Sequence, residues 1–207
     1  MRPRTIVSVL ATALVAALGP APLAGAATGE VTPVRSVDLA RYQGTWLQLA
    51  AIPQPFQAAC ARDDRAEYTL LPDGLVRVVN SCRRADGQEV RLEGRARPAE
   101  AGTTSRLEVT FVNVGGAWVF DDPGTYWVIG LDRDYRWAVV GAPDRRSGFV
   151  LSRTARPTPD QVAGIATALI RDGYDPCRFR VTVQEGGAPA PVTLCGPSPV
   201  AATTGRG

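Results

Sequence analysis

Along the middle of the chain, apolar and polar residues alternate in short runs, each closed by glycine, proline or aspartate. Strand side chains point alternately to the two faces of a sheet, so this rhythm predicts strands with one buried face. Eight are predicted, over 46–52, 66–71, 75–81, 89–96, 106–113, 126–131, 137–141 and 148–153. Pro72-Asp73-Gly74 is a hairpin signal between the second and third, and Ala85-Asp86-Gly87 and Asp132-Arg133-Asp134 supply further turns. Many short strands at regular spacing predict an all-β barrel or sandwich.

The period then changes. Thr158-Pro159-Asp160-Gln161 offers an N-cap, a proline at the first helical position and a capping-box glutamine, and Gly173 suits the residue after the last turn. Val162, Ile165, Ala166, Leu169 and Ile170 recur at helical spacing, which predicts one apolar face for packing on the sheet. A short ninth strand is predicted over 179–184.

The ends have other compositions. Residues 1–26 begin with Arg2 and Arg4, continue in an apolar run and finish at Ala24-Gly25-Ala26, the pattern of a secretory signal peptide cleaved after Ala26. The apolar run over 6–18 is shorter than the roughly 20 residues of a spanning helix, and the first cysteine is Cys60, far from any lipidation site at the cleavage point. A secreted protein without a lipid anchor is therefore expected. Residues 27–36 read as a loose leader, 37–184 as the domain, and 185–207 as a flexible Pro/Gly-rich tail with one cysteine.

Removal of the two signal-peptide arginines takes the formal charge from +3 to +1, which gives no bulk attraction for nucleic acid. The chain has no histidine, and all its Lys and Arg positions are arginine, so a His base, a His metal site and a Lys Schiff base are excluded. No cofactor is expected. Cys60, Cys82, Cys177 and Cys195 lack C-x-x-C spacing, so disulfides are expected in place of zinc, with three full pairings open.

Three segments carry a family resemblance: "RYQGTW" over 41–46, "GLDRDYRWAVVG" over 130–141 and "FVLSRT" over 149–154. In this order, with a helix behind them, they resemble the lipocalin family over residues 37–184, most closely its bacterial and apolipoprotein D branch. The resemblance implies an eight-stranded antiparallel up-and-down β-barrel, a calyx, with one C-terminal α-helix packed outside and a short ninth strand. It also implies that Gly44, Trp46 and Arg153 form the barrel floor, with the guanidinium over the indole, a contact worth ~1–2 kcal/mol when partly desolvated.

Up-and-down topology from that floor puts the loops over 53–64, 83–88, 114–125 and 142–147 at the mouth. Cys60 and Cys82 then share one rim, and the hairpin register about Asp73 brings Cys82 opposite position 64. Cys60–Cys82 and Cys177–Cys195 are the expected bonds. An apolipoprotein D-like Cys60–Cys195 bond is the alternative that the resemblance keeps open.

The branch's ligand contacts map to Tyr68, Asn80, Phe111 and Tyr126. Parity from Arg153 adds Leu151 and Phe149, and parity from the mapped contacts extends to Val78, Leu107 and Val109, with Arg77, Arg106, Glu108 and Thr110 outward. Phe56, Trp118 and Phe120 are expected at the mouth as a portal, where contact with a membrane surface is a further expectation.

The resemblance thus implies a binding protein for a lipid or other small hydrophobic molecule, fatty acid or lysophospholipid-like. Storage, transport or scavenging at the cell envelope, including under membrane stress, is the implied role. An enzyme on the same scaffold would need a free thiol or an inward carboxylate pair, and Glu67, Glu93 and Glu108 take outward parity. A secreted interaction or inhibitor protein using the mouth loops is the third class. Oligomeric state is not readable.

Overall fold

The computed structural model describes residues 29–121 and 123–195. The expected signal peptide over 1–26 and residues 196–207 lie outside them.

A one-turn helix α1 (Leu39–Tyr42), capped by the Asp38 carboxylate, leads into β1 (Gly44–Ala51). The meander continues through β2 (Arg62–Leu70), β3 (Val76–Arg83), β4 (Glu89–Pro98) and β5 (Arg106–Thr110). A small hairpin of β6 (Asn113–Val114) and β7 (Ala117–Trp118) precedes β8 (Tyr126–Leu131), β9 (Trp137–Gly141) and β10 (Gly148–Ser152). Helix α2 (Pro159–Arg171) and β11 (Arg180–Val181) follow.

Sequence neighbours pair antiparallel, and β10 returns to β1 through Leu47↔Ser152 and Ala51↔Phe149. Eight strands thereby close into a barrel. The ninth, β11, adds outside β1 at Ala50↔Val181. The expected fifth strand stops at Thr110, three residues early, because the chain leaves the wall there to build the β6–β7 hairpin.

Two apolar clusters share the wall. The inner one joins Trp46, Ala66, Tyr68, Val78, Ala96, Val140 and Leu151. The outer one sandwiches Trp127, Ile129, Val139 and Val150 against Ile165, Ala168 and Leu169 of α2, with Tyr174 and Phe179. Strands β8 to β10 are covered on both faces, so their apolar residues run almost without alternation. On β2 the outer face meets water and the alternation is clean, with Asp64, Ala66 and Tyr68 buried between more exposed neighbours.

Thr158 caps α2 with the reciprocal Gln161 bond, as its capping box predicts. The buried face of α2 differs from the expected one. Ile165, Ala168 and Leu169 are buried, while Val162 is 42 % and Ile170 62 % exposed. Close approach sets this rotation: a Cβ on Gly130 would lie 2.6 Å from that of Ala168, and one on Gly164 2.7 Å from the Trp137 ring.

The flanking segments are more ordered than their composition predicts. Val31 is buried against the outer cluster, and the Thr32 and Val34 N–H groups donate to Asp172 Oδ1 and the Val128 carbonyl. At the other end, Val181 N–H donates to Val192 O and Leu194 N–H to Phe179 O, so residues 191–195 fold back along β11. Backbone groups that find partners on the barrel hold both segments where hydrophobic patterning is weak.

Candidate ligand cavity

The floor is built from backbone carbonyls and one cation. Gly44 takes φ +88°, open to glycine at little cost, and turns the chain so that Trp46 points inward, fully buried. Arg153 lies 3.7 Å over the indole and donates to the carbonyls of Thr45 (2.7 Å), Gln43 (2.8 Å), Arg41 (3.2 Å) and Tyr42 (3.3 Å). Trp46 Nε1–H donates to Tyr42 O at 2.7 Å.

The β8–β9 turn locks the same end. Asp132 accepts from the Arg136 guanidinium and from the backbone N–H groups of Asp134 and Arg136, and Arg136 holds the carboxyl below its usual range. Tyr135, at φ +59°, is thereby turned to accept the Asp38 N–H and to stack beneath Arg41. The "GLDRDYRW" segment is in this way a structural latch between the turn and α1.

Above the floor lies a cavity of about 570 Å³. Tyr68, Val78, Asn80, Leu107, Val109, Phe111, Tyr126, Phe149 and Leu151, the nine positions expected to hold a ligand, all line it. Its base carries three phenols in a row: Tyr126 Oη lies 3.1 Å from Tyr42 Oη and 3.0 Å from Tyr68 Oη. Burial raises all three acidities' pKa values, that of Tyr68 to about 12, so they remain neutral hydroxyls.

At the mouth, Phe56 lines the cavity and is 67 % exposed, as expected of a portal. Trp118 and Phe120 are not there. The β6–β7 hairpin folds down the outer wall, where Trp118 stacks on Arg95 at 4.6 Å and Phe120 on Arg97 at 4.3 Å. Two outward arginines, spaced i, i+2 on β4, offer flat cationic surfaces that the rings cover in preference to the rim. Leu92, 47 % exposed on the inward parity of β4, takes their place at the opening.

Both expected disulfides are formed, Cys60–Cys82 with Cα atoms 5.6 Å apart and Cys177–Cys195 at 4.9 Å. The Cys60–Cys195 alternative is set aside. No free thiol remains among the described residues.

Comparison with known proteins agrees with this architecture. A family profile described as a lipocalin-like domain matches residues 37–184. The chain belongs to the lipocalin family. This lipocalin is 32 % identical over 161 residues to temperature-induced lipocalin-1 of Arabidopsis thaliana, covering 77 % of the chain and 86 % of the relative. It is 34 % identical over 159 residues to the outer membrane lipoprotein Blc of Escherichia coli K12, covering 76 % and 85 %. With apolipoprotein D of Macaca fascicularis it shares 33 % over 154 residues, 72 % and 77 %. Among solved structures, insecticyanin from Manduca sexta superposes with a TM-score of 0.58 at 21 % identity over 74 % of this chain and 84 % of that one, a likeness of fold. Lipocalins bind small hydrophobic ligands, and a closed-bottomed apolar barrel suits that.

Among the cavity residues that escaped the sequence reading, Tyr42 and Asp64 carry the polar chemistry. Tyr42 precedes the first predicted strand, and no period flags it. Asp64 was assigned to the first mouth loop, yet β2 starts at Arg62, and Asp64, Ala66 and Tyr68 fall on one inward face. The i, i+2, i+4 spacing was the available signal. Of the acids expected outward, Glu93 binds Arg77 and Arg95, and Glu108 binds Arg97. Asp64 is the cavity's carboxylate.

Proposed function

We propose that this lipocalin carries one single-chain lipid or similar hydrophobe, fatty acid or lysophospholipid-like, with its tail on the tyrosine base and its polar end at the mouth. The observation that carries the reading is an apolar cavity of about 570 Å³, sealed below by Trp46 and Arg153 and open above at Phe56. Pockets of roughly 300–1,000 Å³ accommodate small-molecule ligands. Apolar walls bind by area removed from water, roughly 25 cal/mol per Å², and therefore select for length and width more than for chemistry.

The signal-peptide pattern and the two disulfides support export to an oxidising compartment, and with it storage, transport or scavenging of lipid at the cell envelope, including under membrane stress. Phe56 and Leu92 at the opening support contact with a membrane surface as the place of loading.

Native mass spectrometry of the exported protein, followed by organic extraction, tests this directly. A lipid near one per chain is the expected result. A bare protein that also ignores added fatty acids and lysophospholipids would overturn it and favour a surface that binds another protein.

A further inference from the structure

Among the residues lining the cavity, the ionisable groups that could meet a ligand head are Asp64 and Arg65. Arg65 is committed elsewhere, donating to Ser81 Oγ at 3.0 Å and to Glu89 at 2.9 Å. Asp64 is only 8 % exposed, and its carboxylate accepts a single side-chain bond, from Gln57 Nε2 at 3.2 Å. That Gln57 amide is shared with Gln48 Oε1 at the shorter distance of 2.8 Å.

Every nearby cation has another partner or stands off. Arg62 and Arg83 sit on Asp63, the neighbouring acid, whose charge disfavours ionisation of Asp64 further. Arg180 of β11 borders, with Asp64, Gln48 and Gln57, a second and more polar recess beside the cavity, yet it forms no ion pair with Asp64. The Cys60–Cys82 sulfurs lie within 4.8 Å of the carboxylate, but their mutual bond removes them as metal ligands. Its partners are the shared Gln57 amide and its own backbone N–H, neither of them a cation, so with an apolar cavity in front of it this buried carboxylate is a charge without its counterion. Loss of solvation pushes its pKa up to about 6 in agreement with that geometry.

We propose that Asp64 is the recognition group for a cationic head, so that the cavity prefers a single-chain amphiphile bearing an ammonium or quaternary ammonium group over a free fatty carboxylate. This rests on the cavity being a lipid site, as proposed above. The cation sits beside Asp64 just below the rim, the rings of Phe56 and Phe149 line the same cavity, and the tail runs down to Tyr68. A carboxylate head in the same place meets like charge with no compensating arginine.

Calorimetric or fluorescence titration of the whole exported protein with dodecyltrimethylammonium, dodecanol and dodecanoate, each below its micelle concentration, tests the assignment. At pH 8 the cation is expected to bind roughly 10- to 30-fold more tightly than dodecanol, with dodecanoate weakest. The cation's advantage over dodecanol is expected to vanish in Asp64→Asn and to shrink in the unmodified protein at pH 5, where Asp64 is mostly neutral and the ligand keeps its charge. Dodecanol binding with no preference for the cation, or a preference that survives Asp64→Asn, overturns this proposal alone. Failure of all three probes to bind overturns the lipid site and this assignment with it.

Discussion

The two ends of the barrel are made from different materials. At the floor, one guanidinium ties four carbonyls of a single turn to an indole, and the adjoining β8–β9 turn satisfies its own aspartate. At the mouth, Phe56 and Leu92 stand in solvent, and Asp64 shares one glutamine with Gln48. Stability is concentrated where charged groups have their counter-charge or a full set of partners, and binding where they do not, because a carboxylate without a cation or an exposed ring gains free energy only when something arrives.

Four experiments sharpen or break that contrast. The largest effect belongs to the floor: Trp46→Ala should cost ~3–5 kcal/mol, read as a lower midpoint in denaturant unfolding, since the fully buried indole leaves a hole that Arg153 cannot fill. A loss below 1 kcal/mol would mean that the floor is not a stabilising element. Next is the rim bond, where replacing Cys60 and Cys82 by serine should cost ~2–4 kcal/mol of stability, measured as a fall in Tm.

Asp64→Asn should act with the opposite sign. The folded chain holds the Asp64 proton to about pH 6 against an ordinary value of 3.8, so the folded state binds more protons than the unfolded one between these values. Stability from this group is present below 3.8, falls as pH rises to about 6 and stays low above it. The variant should therefore be more stable than the parent by ~1–3 kcal/mol at pH 8, the difference fading towards pH 4. Equal pH profiles in thermal melts would show that Asp64 is already well compensated. Smallest is Phe56→Ala, within ~0.5 kcal/mol in stability because the ring is exposed, yet with slower ligand uptake in stopped-flow mixing. Unchanged uptake would remove Phe56 from the portal.

Much of the fold was legible in local pattern. Tyr126–Leu131 and Trp137–Gly141 have the bounds that their sequence predicts, and Thr158 caps α2 through the expected box. The cavity wall was legible through the family resemblance and parity together: the resemblance set Arg153 inward and mapped Tyr68, Asn80, Phe111 and Tyr126, and alternation along the strands supplied the rest. Trp118 and Phe120 were misplaced at the mouth because a loop's apolar residues carry no period, and only the arginines of β4 decide where those rings settle. Asp64 was missed for a related reason: a polar residue at a strand end reads as loop until pairing shows that the strand continues, here at Arg62↔Arg83.

The sequence by itself determined the eight barrel strands and the helix with its cap, consequences of periods of two or 3.6 residues and of turn chemistry within a few positions. Its resemblance to the lipocalins implied the indole under the guanidinium and anchored the inward set of side chains. Tertiary structure decided which face α2 buries, where Trp118 and Phe120 lie, that the segments around Val31 and Leu194 are held, and that one carboxylate faces the ligand. Those outcomes depend on the distance between surfaces far apart in the chain, a glycine against an alanine or a ring against an arginine. No local pattern encodes such distances, because many arrangements satisfy the same hydrophobic rhythm and close packing selects one.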